Sequence, residues 1–390
     1  MAATFREEGG RLTAALVRVL GDFDLAEEIV QDALLVALER WPTSGVPNNP
    51  GAWLLTVARN RALDQLRRDA LYRDKLMQLQ SPVTQEPDDR LRLIFTCCHP
   101  ALSRDAQVAL TLRTVCGLTV AEIARGFLTT EGAIAKRLVR AKRKIVDAGI
   151  PYRVPAADDL EARLGEVLGV LYLMFNEGYL ATAGGVAARR DIADDAAWLA
   201  ALLVELLPGE PEPLGLLALM RLHLARASAR FDLAGDIVVL EEQDRSRWDR
   251  AQIAAAVALL AQAASRLRPG PYQVQAAIVA CHAQAQSWVA TDWLQIVALY
   301  DLLLRLTPSP VVRLNRAVAL RHVTSVEFAL AEVDALATEL HGYALFHAVR
   351  ADLLHASGQP ELARSALEQA LILTANEPER RLLQRRLAGI

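Results

Sequence analysis

Residues 118–145 read LTVAEIARGFLTTEGAIAKRLVRAKRKI, and this stretch decides the fold. Val120, Ile123, Ala124 and Phe127 recur at helical spacing and form the inner face of a first helix. A four-residue turn follows, with Thr129 or Thr130 placed as N-cap and Glu131 in the next helix's first turn. The second helix turns Ile134, Leu138, Ala141 and Ile145 inward. It leaves Lys136, Arg137, Arg140, Lys142, Arg143 and Lys144 outside. Residues 119–150 hold seven basic and three acidic side chains. Two helices joined by a capped turn, the second one basic, are a helix-turn-helix whose second helix fits a major groove.

The sequence before it extends the all-α reading. Pro50 opens a helix in which Trp53, Leu54, Val57, Ala58, Ala62 and Leu66 form an apolar stripe. Arg59, Asn60, Arg61, Asp64, Arg67 and Arg68 occupy its other faces. Upstream, DLAEEIVQDALLVALERW (24–41) has an acidic start, which the helix dipole favours, and turns Leu25, Ile29, Ala33, Val36 and Leu38 toward a core. Trp41–Gly51, with three Pro and two Gly, reads as a loop. A polar linker over 78–89 and a break over 149–159 complete the punctuation. The predicted organisation is residues 1–75, a linker 76–87, 88–148, a linker 149–157, and 158–390.

Charge divides the same way. Of the 390 residues, the first 150 contain 21 Lys+Arg and 18 Asp+Glu, whereas the remainder carries a net charge of −6. The basic part is the one suited to a polyanion. In the acidic part, Arg316, Ala317, Leu320, Glu327 and Ala329 align with Arg350, Ala351, Leu354, Glu361 and Ala363 at an offset of 34. That is the period of tetratricopeptide repeats. Gly358 is placed at a tight turn, Ala363 and Ala370 at close helix contacts, and Pro378 at a stop.

Other chemistries find no support in the sequence. No P-loop, G-x-G-x-x-G, G-x-S-x-G or H-E-x-x-H pattern occurs, so no catalytic residue, cofactor or metal ligand is assigned. Cys97, Cys98, Cys116 and His99 lack zinc spacing and read as buried small residues. Asn176–Tyr179 reads as a helix cap, with a small-molecule pocket as the alternative. No apolar run approaches a membrane span. The N-terminal MAATFREEGG has no secretory pattern, and the unpatterned cysteines fit a reduced, cytoplasmic protein.

Acidic helix, Pro-rich loop, Trp/Arg/Asn helix, linker and basic helix-turn-helix, in that order, resemble the extracytoplasmic-function sigma factors of the sigma-70 family. DLAEEIVQDALLVAL resembles their region 2.2. The resemblance implies that Asp24, Glu28, Gln31 and Asp32 dock on the clamp helices of the RNA polymerase β′ subunit, with the β subunit as a further partner. AWLLTVARNRALDQLRR resembles regions 2.3 and 2.4. It implies that Trp41, Asn48, Arg59, Asn60, Asp64, Arg67 and Arg68 meet the −10 element, Asn60 reading a base. Residues 118–145 resemble region 4.2 and imply −35 contacts for Thr130, Glu131, Lys136, Arg137, Arg140 and Arg143. Ala135 departs from the polar residue many members carry there. RLIFTCCHPAL (92–102) and LYLMFNEGYLATAG (171–184) resemble a subgroup with a tetratricopeptide-like C-terminal extension. The resemblance implies regulation through the extension; its net charge of −6 and the short linker at 149–159 lead to the expectation that it docks on the sigma domains along 92–116. Two other readings stay open: a stand-alone helix-turn-helix regulator with a ligand- or protein-sensing repeat domain, and a repeat scaffold with no DNA role.

Overall fold

The computed structural model describes residues 2–68, 89–127, 129–180, 186–232, 234–374 and 377–390. They are helical, without a strand among the described residues; one isolated antiparallel bridge joins Phe231 and Ile237. The expected linker 76–87 and Gly184–Gly185 lie outside the described residues. The chain divides into two compact units, residues 1–180 with 187–199, and 181–186 with 200–390.

The first unit begins with α1 (Ala2–Leu20), α2 (Phe23–Ser44) and α3 (Pro50–Arg68), which pack pairwise. Leu12, Leu16 and Leu20 of α1, Ala26, Ile29 and Ala33 of α2, and Leu54, Ala58 and Ala62 of α3 are all buried. The Asp22 carboxylate caps α2, accepting from the amides of Asp24 and Leu25. Asn49 does the same for α3 through the Ala52 amide. The loop expected from Trp41 starts later, because α2 runs through Pro42 to Ser44. Pro42 falls in the last turn, where it costs one helical hydrogen bond. Trp41, 3% exposed with its ring centroid 5.6 Å from that of Trp53, anchors that turn by burial.

α4 (Asp89–Cys97), α5 (Arg104–Thr114), α6 (Val120–Gly126) and α7 (Glu131–Asp147) follow, with α5 and α6 both packed on α7. Thr119 and Glu122 form a complete capping box at α6. Thr130 caps α7 by accepting from the Ala133 amide. The buried residues of α7 are Ile134, Leu138, Ala141 and Ile145, the expected register. Cys97, Cys98 and Cys116 are buried, and burial pushes the thiols of Cys97 and Cys98 up, out of reactive range.

These two groups of helices pack together, α1 on α4. The contact requires a glycine: a Cβ on Gly10 would lie 2.5 Å from the carbonyl oxygen of Val115. Tyr152 Oη donates to Ala14 O at 2.8 Å. After the non-helical stretch 150–156, α8 (Ala157–Leu180) packs back on α4 and α5. Arg163 donates to Phe95 O at 2.7 Å, and Arg104 pairs with Glu166 at 2.6 Å. Asn176–Tyr179 lie inside α8 rather than after a helix.

The second unit takes the end of α9 (Val186–Leu206) and continues with α10 (Pro211–Leu224), α11 (Arg250–Ala264) and α12 (Pro271–Gln284). Gly215 admits α12, since a Cβ there would sit 2.6 Å from the Gln273 amide nitrogen. Helical hairpins follow: α13 (Trp293–Leu306), α14 (Pro310–Leu320), α15 (Val326–Asp334), the short α16 (Ala337–Leu340), α17 (Ala344–Ala356), α18 (Pro360–Leu373) and α19 (Glu377–Ala388). Residues aligned at offset 34 share environments. Ala317 and Ala351, Leu320 and Leu354, Ala329 and Ala363 are all buried. Arg316 pairs with Asp301 and Arg350 with Asp334, each at 2.6 Å. Gly358 makes the expected turn at φ +77°. Pro378 does not stop the chain; it sits in the first turn of α19, where a missing amide hydrogen is harmless.

Two features of this unit go beyond a row of hairpins. Buried Arg245 and its neighbour Arg250 have their charge received by the C-terminal carbonyls of α12. Arg245 Nη1 donates to His282 O and Ala285 O, and Arg250 Nη1 to Ala283 O. The last helix also returns to an early loop: Arg381 pairs with Asp236 at 2.5 Å, and Arg385 donates to Ile237 O.

Candidate nucleic-acid and protein interface

The helix-turn-helix presents its second helix outward. Lys136, Arg140, Arg143 and Lys144 are exposed on α7, as are Thr130 and Glu131 at its start. Arg137 is half-buried and pairs with Asp105 at 3.3 Å. Arg143 pairs with Asp147 one turn on, at 3.4 Å. Between α7 and the start of α5 runs a groove of about 650 Å³, lined by Lys136, Arg137, Arg140 and Lys144 opposite Ser103 and Asp105. Lys142 departs from the expected exposure. Its side chain is 12% exposed, and its Nζ lies 2.7 Å from Asp24 Oδ1 and 3.1 Å from Glu27 Oε1. Arg113 approaches Glu27 from α5 at 3.1 Å. Lys142 lies near the edge of the buried sector of α7, so only the acidic partner brought by α2 decides its fate.

On α3, Asn60, Arg61 and Asp64 are exposed and Arg59 is half-buried; Asn48 in the preceding loop is exposed. The side chains of Arg67 and Arg68 lie outside the described residues. Trp41, expected at the −10 element, is buried beside Trp53 in this structure.

On α2, Glu28 and Gln31 are exposed and Asp32 is half-buried. Asp24 keeps 79% of its side chain exposed despite its pairing with Lys142. Leu38, expected in the core, is 50% exposed, and Leu35 is 56% exposed. Glu28, Gln31, Leu35 and Leu38 follow at three- and four-residue steps along one face. The sequence signal for Leu35 and Leu38 was present: Ala33 and Ala37 already fill the inner positions. Gln31 also faces a cleft of about 340 Å³ shared with Arg113, Cys116, Thr119 and Glu122.

Residues 4–71 match the family model Sigma-70 region 2, and residues 92–145 match Sigma-70, region 4. The chain is 31% identical over 153 residues to the ECF RNA polymerase sigma factor SigL of Mycobacterium tuberculosis, covering 37% of this chain and 86% of that protein. The chain belongs to the sigma-70 family. Region 2 thus comprises α1–α3 and region 4 comprises α4–α7. It is also 30% identical over 156 residues to the ECF RNA polymerase sigma factor SigK of Mycobacterium ulcerans, covering 35% of this chain and 81% of that protein. An uncharacterized protein of Rhizobium meliloti (strain 1021) is 45% identical over 379 residues, 94% of this chain and 90% of that protein. Residues 163–264 match a family of unknown function, DUF6596. No solved structure matches. Among the described residues, no helix is long and apolar enough to cross a membrane, and no cluster of His, Cys, Asp and Glu could hold a metal ion.

Proposed function

We propose that this chain binds core RNA polymerase and directs promoter-specific transcription initiation, acting by recognition rather than catalysis. The observation that carries the reading is the capped helix-turn-helix of region 4, which holds Lys136, Arg140, Arg143 and Lys144 exposed on one helix. α7 enters the major groove of a −35 element, and its basic residues hold phosphates while Arg137 and Arg140 reach base edges. Asn48, Arg59, Asn60 and Asp64, with Arg67 and Arg68, serve the −10 element. The α2 face of Glu28, Gln31, Leu35 and Leu38, with Asp24 and Asp32, docks on the polymerase β′ clamp helices, with the β subunit as a further partner. An exposed apolar pair beside acidic groups is what a protein surface selects, and a stand-alone DNA-binding regulator has no use for it. Residues 158–390 form a tetratricopeptide-like extension that regulates the sigma part. The seating of α8 on α4 and α5 gives it a route to region 4.

The test is run-off transcription by purified core polymerase with the full-length chain, on DNA selected from random sequence by the same complex. Defined start sites that depend on the chain are expected. Arg137→Ala and Arg140→Ala should each weaken promoter binding by about 1–3 kcal/mol. Leu35→Asp with Leu38→Asp should abolish core binding. Start sites unchanged in both kinds of variant would overturn the reading.

A further inference from the structure

Val139 is 64% exposed in the middle of α7. This helix places its other large apolar side chains, apart from Val146 near its end, against the core. At about 100° per residue, Val139 shares one sector of roughly 60° with Gly132, Ala135 and Val146. The adjoining sector holds Lys136, Arg140 and Arg143, all exposed. The outer face of α7 is therefore half basic and half uncharged. Among the described residues nothing covers the uncharged half: Gly132, Ala135, Val139 and Val146 are all exposed, and a Cβ on Gly132 would meet no atom within 4 Å. Ala135 is short, so the methyl groups of Val139 stand clear of the preceding turn.

An isolated exposed valine is ordinary on a protein surface. Here its flanks are cations suited to phosphates, and it lies two turns from the capped start of the helix, in the part that meets base edges. In the major groove, thymine alone of the four bases presents a methyl group, and apolar side chains recognise it by contact. We infer that Val139 is a specificity-determining residue that reads a thymine of the −35 element through its C5-methyl group. The inference rests on the −35 reading of α7 and adds which base chemistry one side chain selects. Arg137, tethered to Asp105, faces the other edge of the groove and reads a separate position.

The experiment uses full-length chain with core polymerase on promoter DNA that the complex has selected from random sequence. Each −35 thymine is replaced in turn by deoxyuridine, which removes the methyl group and leaves the pairing edge intact. At one position, loss of the methyl should weaken binding by the wild-type complex about three- to five-fold, the scale of one buried methylene. The complex carrying Val139→Ala should bind thymine and uracil DNA alike at that position. Val146→Ala makes the same deletion near the end of the helix and should keep the wild-type preference. No methyl-sensitive position, or equal sensitivity in wild type and Val139→Ala, would overturn the inference while leaving the initiation reading intact. Absence of any selected promoter would overturn both.

Discussion

Lys142 shows how a single residue couples the two halves of the first unit. Its ammonium group, nearly covered, sits between Asp24 and Glu27, and Glu27 also receives Arg113. Removing Lys142 leaves the covered Glu27 carboxylate with Arg113 as its remaining ion-pair partner, while Asp24, 79% exposed, is solvated by water. Lys142→Met keeps the stem and deletes the charge. It is expected to destabilise the packing of region 4 on region 2 by about 1–3 kcal/mol. A double-mutant cycle with Glu27→Gln should return a coupling of about 1 kcal/mol or more, read from hydrogen exchange in α7. Zero coupling would mean that the two charges meet only in passing. The same neighbourhood marks where sequence reasoning stopped. Thr130 was legible as a cap because capping is local. Lys142 and Trp41 were not, because each depends on a neighbour distant in sequence, whereas the exposure of Leu38 was signalled locally by Ala33 and Ala37.

At the scale of the element, the register of α7 followed from periodicity alone, as its four buried residues illustrate. What periodicity does not carry is how helix ends are completed by distant groups. α12 is an example, with its last carbonyls bound by Arg245 and Arg250. The cations have a cost for a neighbour. His282, near the end of α12, packs against Trp288 and Trp293, and Arg226, Arg245 and His322 face it. Burial first, then these positive charges, pull its pKa from 6.5 down to about 4. The imidazole is therefore neutral in the fold and takes a proton more readily in the unfolded chain. Stability is full above about pH 6.5 and falls as pH drops toward about 4. At pH 5 the loss from this group is about 2 kcal/mol. His282→Phe should gain on wild type by that amount between pH 7 and pH 5, measured by urea unfolding of the full chain. Parallel curves at both values would show that the ring is solvated. The arginines were visible in the sequence as charges, but their role as helix caps was not.

For the whole molecule, the sequence divided the chain at 149–157, whereas the compact units divide after α8 and within α9. The helical character of the extension was legible, and so was its 34-residue echo, because both are periodic. The return of α19 to the loop around Asp236 was not, since an Arg–Asp pair 145 residues apart leaves no local trace. The close approach of Gly10 to Val115 was equally hidden: a glycine inside a helix reads as a local weakness, not as clearance for a neighbour. That clearance bears on recruitment. Under the proposed function, −10 and −35 elements about 25 base pairs apart are separated by about 85 Å of B-form DNA at 3.4 Å per base pair, so regions 2 and 4 would have to part for each to occupy its own element. The closed population is then a tax on binding, and apparent affinity scales with the fraction already open. Gly10→Ala makes α1 a better helix in isolation yet collides with Val115. It should raise that fraction and tighten association of the full-length chain with core polymerase and promoter DNA, each 1.4 kcal/mol of relieved contact giving about tenfold. Calorimetric titration reads the change directly, and weaker association would show that the contact is kept in the bound complex. Damage to the free fold would thus register as gain of affinity.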